Sequence, residues 1–316
     1  RFMGTAIAIS FTLLRRWKRD RNKAMQTIQR IKQELRKGGL GPFLRHMLHS
    51  LAGLRYNLVR EPAEALQPCP ATDAFMSTAK HARIAVQIHL FYPQLAEELI
   101  EATNRIPYPF DCYISTDTQD KAAVIEQAFS AKSQAHQLEV KCYPNRGRDL
   151  APFLCQLAPQ LHAYDYVCHL HGKYSAHSAF GNEWRTYLLS QLLASPAHGA
   201  AMLARMEGEP SIGLVFPKTL KRLKRFGGWR GNRPQAVTLL KQMGLHLSLP
   251  RSPVYPAGNM FWARTDAVAP AFECGLSFAD FPEEEGQTEG TTAHCLERCW
   301  VSIAQARGYG YLRMVA

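Results

Sequence analysis

From Leu138 to Ser175 the chain reads LEVKCYPNRGRDLAPFLCQLAPQLHAYDYVCHLHGKYS: a β-rich run, a polar turn with one glycine, an apolar helical stretch, and a second β-rich run ending in polar residues. Strand, helix and strand joined in this way form a crossover unit, which pairs its strands in parallel and needs cover on both faces of the sheet. The pattern continues on either side. RIAVQIHLFY predicts a strand, PQLAEELIEATNRI a helix, FDCYISTD a strand and DKAAVIEQAFSAK a helix; SIGLVFP and VYPAGNMFWAR predict two later strands. The expected fold class is α/β, a mostly parallel sheet flanked by helices, with ligands bound outside the carboxyl ends of the strands. His89, Thr116, Asp117, Asn145 and His169 fall near such ends.

The turn PNRGRD carries the first chemical signal. Asp149 is placed to cap a helix running through Leu161, whose first turn then offers backbone N–H groups to an anion. Arg146 and Arg148 stand at its mouth, with planar donors suited to a diphosphate. The competing reading is a solvated turn, because one glycine and two arginines fall short of a complete dinucleotide or Walker fingerprint.

Six segments follow one another along the chain: PNRGRDLAPFL, YDYVCHLHGKYS, GNEWR, IGLVFP, YPAGNMFWAR and EGQTEGTTAHCLER. Together they resemble the rhamnan synthesis protein F family of bacterial cell-surface polysaccharide assembly, from Ile84 almost to the C-terminus. Two positions depart from the family pattern, which usually has HTKKS in place of HGKYS and Asp in place of Glu289. The resemblance implies a glycosyltransferase using a nucleoside-diphosphate sugar, with rhamnose as the sugar the family name suggests and a lipid-linked glycan, such as lipopolysaccharide of the cell envelope, as acceptor. The order of elements is also similar to GT-A transferases, which have a donor-binding first half, an Asn-x-Gly turn, a strand ending in acidic metal ligands, and a second half supplying acceptor contacts and the base.

Where the acidic metal ligands would stand, this chain has HLH. Alternation along a strand puts His169 and His171 on one face. They either ligate a metal of the softer kind or hydrogen-bond the diphosphate, with Lys173 supplying the charge; a third reading makes both core residues. Direct binding is preferred, so no cofactor is expected, a divalent ion being the alternative. The donor set is then His89, Asp117, Asn145, Arg146, Gly147, Arg148, Asp149, His169, His171 and Lys173.

Inverting transfer needs a carboxylate near the acceptor hydroxyl. The run ADFPEEEGQTEG supplies Glu284 and Glu289 as leading bases and Asp280 as third, all in a loop ahead of the helix TTAHCLERCWVSIAQAR. An acidic surface loop that merely complements a helix dipole is the alternative. His294 and Arg298, four apart, share a helix face beside Glu297. With Trp184, Arg185, Gly258, Asn259 and Trp262 they form the expected acceptor or sugar contacts, although Trp262 equally suits a core. KTLKRLKRFGGWRGN, Lys218 to Asn232, reads as a basic loop that either closes over the donor or is solvated.

Charge is unevenly placed. Residues 1–60 hold fourteen Lys and Arg against two Asp and Glu, leaving 24 of each sign elsewhere, so the net +12 belongs to this arm. A neutral domain argues against nucleic-acid binding, which wants a basic stripe on the folded face. Phe2 to Leu14 is apolar but too short to span a bilayer, lacks a small-residue cleavage site, and precedes the cluster RRWKRDRNK. Two amphipathic helical patterns follow, and they predict either contact with an anionic membrane surface or docking on the domain. Residues 61–80 read as a linker and 81–316 as the α/β domain. The expected location is cytoplasmic, peripheral on the inner face of the bacterial cytoplasmic membrane. The eight cysteines lack paired CxxC spacing and suit a reducing compartment. Two further readings stay open: a non-catalytic glycan-binding or scaffold module of the same pathway, and a hydrolase using a metal at His294, Cys295 and Cys299.

Overall fold

A computed structural model describes residues 64–65, 82–172, 179–224, 227–287 and 289–315. The basic arm, most of 61–80 and Lys173 lie outside the described residues.

Eight strands form one sheet: β1 (Glu64–Ala65), β2 (Ile84–His89), β3 (Asp111–Thr116), β4 (Gln137–Cys142), β5 (Tyr166–His171), β6 (Ile212–Pro217), β7 (Phe261–Arg264) and β8 (Gly310–Val315). Their order is β1-β8-β6-β7-β5-β2-β3-β4. All neighbours are parallel except β7, which runs antiparallel to both β5 and β6. β1 falls within the stretch read as a linker and pairs with Met314 and Val315 at the sheet edge. The predicted strand VYPAGNMFWAR shortens to β7, because Gly258 (φ 92°) and Asn259 (φ 54°) turn left-handed just before it.

Helices cover both faces: α1 (Ala96–Thr103), α2 (Gln119–Lys132), α3 (Leu150–Leu157), α4 (Ala179–Leu192), α5 (Pro196–Gly208), α6 (Arg233–Gln242), α7 (Thr265–Glu273) and α8 (Thr292–Ala306). Alternate residues of each central strand serve opposite cores. Ala85 and Val167 pack with Phe153 of α3, Val268 of α7 and Trp300 of α8. Ile84, Val86, Ile88 and Cys168 pack with Leu99, Phe129, Leu188 and Met202 of α1, α2, α4 and α5. Strands buried on both faces should be apolar throughout. β2 and β5 break that rule at Gln87 and His169, both 0% exposed. Among the described residues no helix is long and apolar enough to cross a membrane.

Candidate active site

The carboxyl ends of β2 and β5 set His89 opposite His171, and His89 opposite Ser115 of β3, whose hydroxyl lies 3.0 Å from His89 Nδ1. Above them opens a cleft of about 1160 Å³. The turn after β4 forms one wall. Gly147 (φ 69°) and Arg148 (φ 55°) are left-handed in succession. A Cβ at Gly147 would lie 2.5 Å from Ala151 Cβ and 2.6 Å from Phe281, so only glycine fits there. The opposite wall is the acidic loop. Arg146 pairs with Glu283 in an isolated antiparallel bridge and its Nε donates to the Phe281 carbonyl, joining two motifs more than 130 residues apart.

Arg148 reaches across this junction. Nε meets Glu284 Oε2 at 3.3 Å, Nη1 meets His294 Nε2 at 3.1 Å, and Nη2 donates to the Gln287 carbonyl. A guanidinium only donates, so His294 Nε2 accepts and its Nδ1–H goes to Thr291 Oγ1 at 2.7 Å. Arg148 holds a left-handed conformation that costs a non-glycine residue energy, and such strain is kept where the surroundings over-determine it.

Asp149 precedes α3 as the sequence predicts, but its side chain does not cap the helix. Oδ2 instead meets His169 Nε2 at 3.0 Å and receives Asn259 Nδ2. The helix is also shorter than expected, giving way at Ala158 to a 3-10 turn. Nor does its first turn offer N–H groups to an anion. Those of Leu150 and Ala151 both go to the Gly147 carbonyl, at 3.1 Å each, and Pro152 has none. Burial alone would raise the Asp149 carboxyl; His171, the His169 hydrogen bond and Asn259 outweigh it and hold the group well below the usual carboxylate range.

Of the residues expected from sequence, His89, Asn145, Arg148, Asp149, His171, Gly258, Asn259, Glu284 and His294 line the cleft. The others do not. Asp117 pairs with Lys121 at 2.6 Å. His169 lies beneath the floor, stacked on Phe153 at 4.0 Å. Arg185 turns to Glu98 at 2.8 Å, Trp184 packs against Gly258, and Trp262 is a core residue of the sheet. Asp280 caps the Ser277 turn. Glu289 gives both oxygens to Arg298, at 3.0 and 2.9 Å, and one to Asn232 at 3.0 Å. The Gly258 N–H is taken by Glu297 Oε1 at 2.9 Å, and its carbonyl already accepts from His171 Nε2 at 2.7 Å. The end of the basic loop is packed rather than lid-like, with Trp229 Nε1 donating to the Pro250 carbonyl at 2.9 Å.

Sequence reading missed Phe91, Tyr92 and Gln287 as cleft residues and took Glu297 only as a neighbour. It also missed Gln87, Gln156 and Trp300 beneath the floor. The signal was there for Gln87, a polar residue inside an otherwise apolar strand.

The His-x-His pair does not suit a metal. A ligand needs a free lone pair, and His169 has both ring nitrogens against oxygens, Asp149 on one side and Gln87 Oε1 at 2.9 Å on the other. Cys295 and Cys299 are buried, and the hydrogen bond that the Cys299 thiol makes to Cys295, then burial, push the Cys299 thiol well up, which opposes a thiolate site. Among the described residues no three His, Cys, Asp or Glu side chains are grouped to hold an ion.

Burial pulls the His89 imidazole down from 6.5 to about 4, against the raising charge of Asp149 and with help from His171 and His169. A histidine lowered by folding contributes stability above its unfolded value and loses it as pH falls toward the folded one. The wild type is expected to lose up to about 3 kcal/mol through this group on acidification across that window, and His89→Gln correspondingly less. Unfolding measured against pH decides; parallel curves would rule the assignment out.

The family model described as Rhamnan synthesis protein F matches residues 61–309. Two strains of Xanthomonas campestris pv. campestris each have an uncharacterized protein WxcX that is 31% identical over 251 residues, 78% of this chain and 33% of theirs. The chain thus spans about a third of the length of these curated relatives. Among solved structures, glucosyl-3-phosphoglycerate synthase of Mycobacterium tuberculosis, crystallised with Mn2+, UDP and glucosyl-3-phosphoglycerate, is 14% identical at TM-score 0.32, covering 66% of each chain. The mannosyltransferase Ktr4p of S. cerevisiae is 10% identical at TM-score 0.30, covering 78% of this chain and 74% of its own. Scores of this size carry no argument about fold, which rests on the strand order above.

Proposed function

The chain belongs to the rhamnan synthesis protein F family, and we propose that it is a glycosyltransferase of polysaccharide synthesis that binds a nucleoside-diphosphate sugar in the cleft and passes the sugar to a lipid-linked glycan. The observation that carries this reading is the meeting of Arg148 with Glu284 and His294 over one large cleft at the strand ends. It brings a phosphate-binding group and a carboxylate together from opposite ends of the domain. Among the described residues Arg148 is the guanidinium that lines the cleft, and on donor binding its bidentate face turns from Glu284 to the diphosphate. Glu284, so released, takes the proton of the acceptor hydroxyl as the sugar inverts. Rhamnose is the sugar that the family name suggests.

A thermal-shift screen of UDP, GDP, dTDP and their sugar conjugates tests donor binding, since a specific ligand raises the melting temperature by mass action. Turnover of the stabilising conjugate then separates the enzyme from a glycan-binding module, which would bind without turning over.

Catalysis is expected to survive strong chelation, because both ring nitrogens of His169 are already engaged by Asp149 and Gln87 and HLH stands where acidic ligands would be. Activity abolished by chelator and restored by magnesium or manganese would refute this.

The basic arm is the proposed membrane contact. Deleting residues 1–60 removes the whole excess of positive charge and is expected to leave a folded domain that no longer co-sediments with anionic vesicles. Undiminished sedimentation would place the contact elsewhere.

A further inference from the structure

Two groups of fixed polarity set the hydrogens in the buried chain beneath the cleft. The Ile114 carbonyl only accepts, so Gln156 meets it with Nε2 at 3.2 Å and turns Oε1 toward Gln87. Gln87 therefore meets Gln156 with Nε2, at 3.3 Å, and presents Oε1 to His169 Nδ1 at 2.9 Å. From the other end the Trp300 indole only donates, so Asn259 receives it on Oδ1 at 2.8 Å and gives Nδ2 to Asp149 Oδ2. His169 is left facing an amide oxygen on Nδ1 and a carboxylate oxygen, at 3.0 Å, on Nε2.

Beside an ionised Asp149, which its surroundings hold well below the usual carboxylate range, a neutral imidazole with its one donor and one acceptor would set a lone pair against one of these oxygens in a side chain that water does not reach. The competing arrangement, Nε2 accepting from Asn259 Nδ2 at 3.2 Å, puts that lone pair against the Asp149 carboxylate. An imidazolium satisfies both oxygens. The other carboxylate oxygen, Asp149 Oδ1, has no hydrogen-bond partner among the described residues, and Asp149 lines the cleft.

We propose that His169 is a positioning residue, carrying hydrogen on both ring nitrogens, that fixes Asp149 as a carboxylate whose Oδ1 accepts a hydroxyl of the donor's sugar. The sugar contact rests on the glycosyltransferase reading; the state of His169 does not.

Nitrogen–proton NMR of the full chain labelled at histidine, at about pH 8 where an ordinary imidazole is neutral, is expected to show hydrogen on both ring nitrogens of His169. Its signal is identified by loss in His169→Gln or, should that variant not fold, by displacement in Asn259→Asp. A nitrogen bearing a lone pair overturns the proposal. Thermal shifts read the sugar contact, with UDP, GDP and dTDP and their glucose, mannose and rhamnose conjugates as probes. Asp149→Asn should keep the response to the stabilising nucleoside diphosphate and bind its conjugate roughly tenfold or more weakly, as loss of a hydrogen bond to a charged group implies. Equal loss of both, or of neither, removes Asp149 from sugar recognition. If no conjugate stabilises the wild type, the glycosyltransferase reading and the sugar contact fail together, while the spectrum still decides the state of His169.

Discussion

Glu284→Gln is expected to lower turnover by roughly 10²- to 10⁴-fold while donor affinity stays near that of the wild type. Glutamine keeps the size of the side chain and an oxygen that can accept from Arg148 Nε, now 3.3 Å from Glu284 Oε2. What it loses is the capacity to take a proton. Glu284 is the one of the three expected bases that lines the cleft; Asp280 is spent on a turn and Glu289 on Arg298. Initial rates and donor binding are measured on the same preparation. Normal turnover in this variant would move the base out of the loop, and a large loss of donor affinity would make Glu284 a binding group instead.

The sheet was legible in the sequence because strand and helix have different periods: β2, β3 and β5 are buried almost throughout, the partly exposed edge strand β4 alternates polar and apolar residues, and the helices carry one apolar face. What the sequence hid lies in the turns. Nothing in PNRGRD says that Gly147 and Arg148 are both left-handed, yet that conformation folds the Gly147 carbonyl back onto the first N–H groups of α3 and removes the anion site a helix start ordinarily offers. Candidate residues sorted themselves by how the pleat and the loops point them. His169 and His171 share a face as expected, but one is sealed under α3 while the other stands at the strand end. Ranking Glu284 against Glu289 was beyond the sequence for a similar reason. Both lie in one acidic run, and only the packing of α8 shows that Arg298 has claimed one of them.

Arg298→Ala should damage folding rather than chemistry. The guanidinium is 3% exposed and fully used: Nε donates to the Gly228 carbonyl at 2.9 Å, Nη1 to the His294 carbonyl at 2.7 Å, and Nη2 to Glu289. It also lies over the ring of Tyr255. Truncation leaves Glu289 with Arg230 and Asn232 in a pocket built for two cations, and cuts the stitch between the 228–232 segment and the loop before α8. Removing one partner of a buried pair costs about 3 kcal/mol or more, which for a domain of this size lowers the melting temperature by on the order of 10 °C. Glu289→Gln, which keeps one acceptor for Arg298, should fall between this variant and the wild type in stability, and its folded fraction should turn over normally. Melting curves and rates taken together therefore separate the two carboxylates, since Glu284→Gln is expected to lose rate at unchanged stability and Glu289→Gln stability at unchanged rate. The reverse pattern, with Glu289→Gln stable and inactive, would make Glu289 the base and Arg298 the group that positions it.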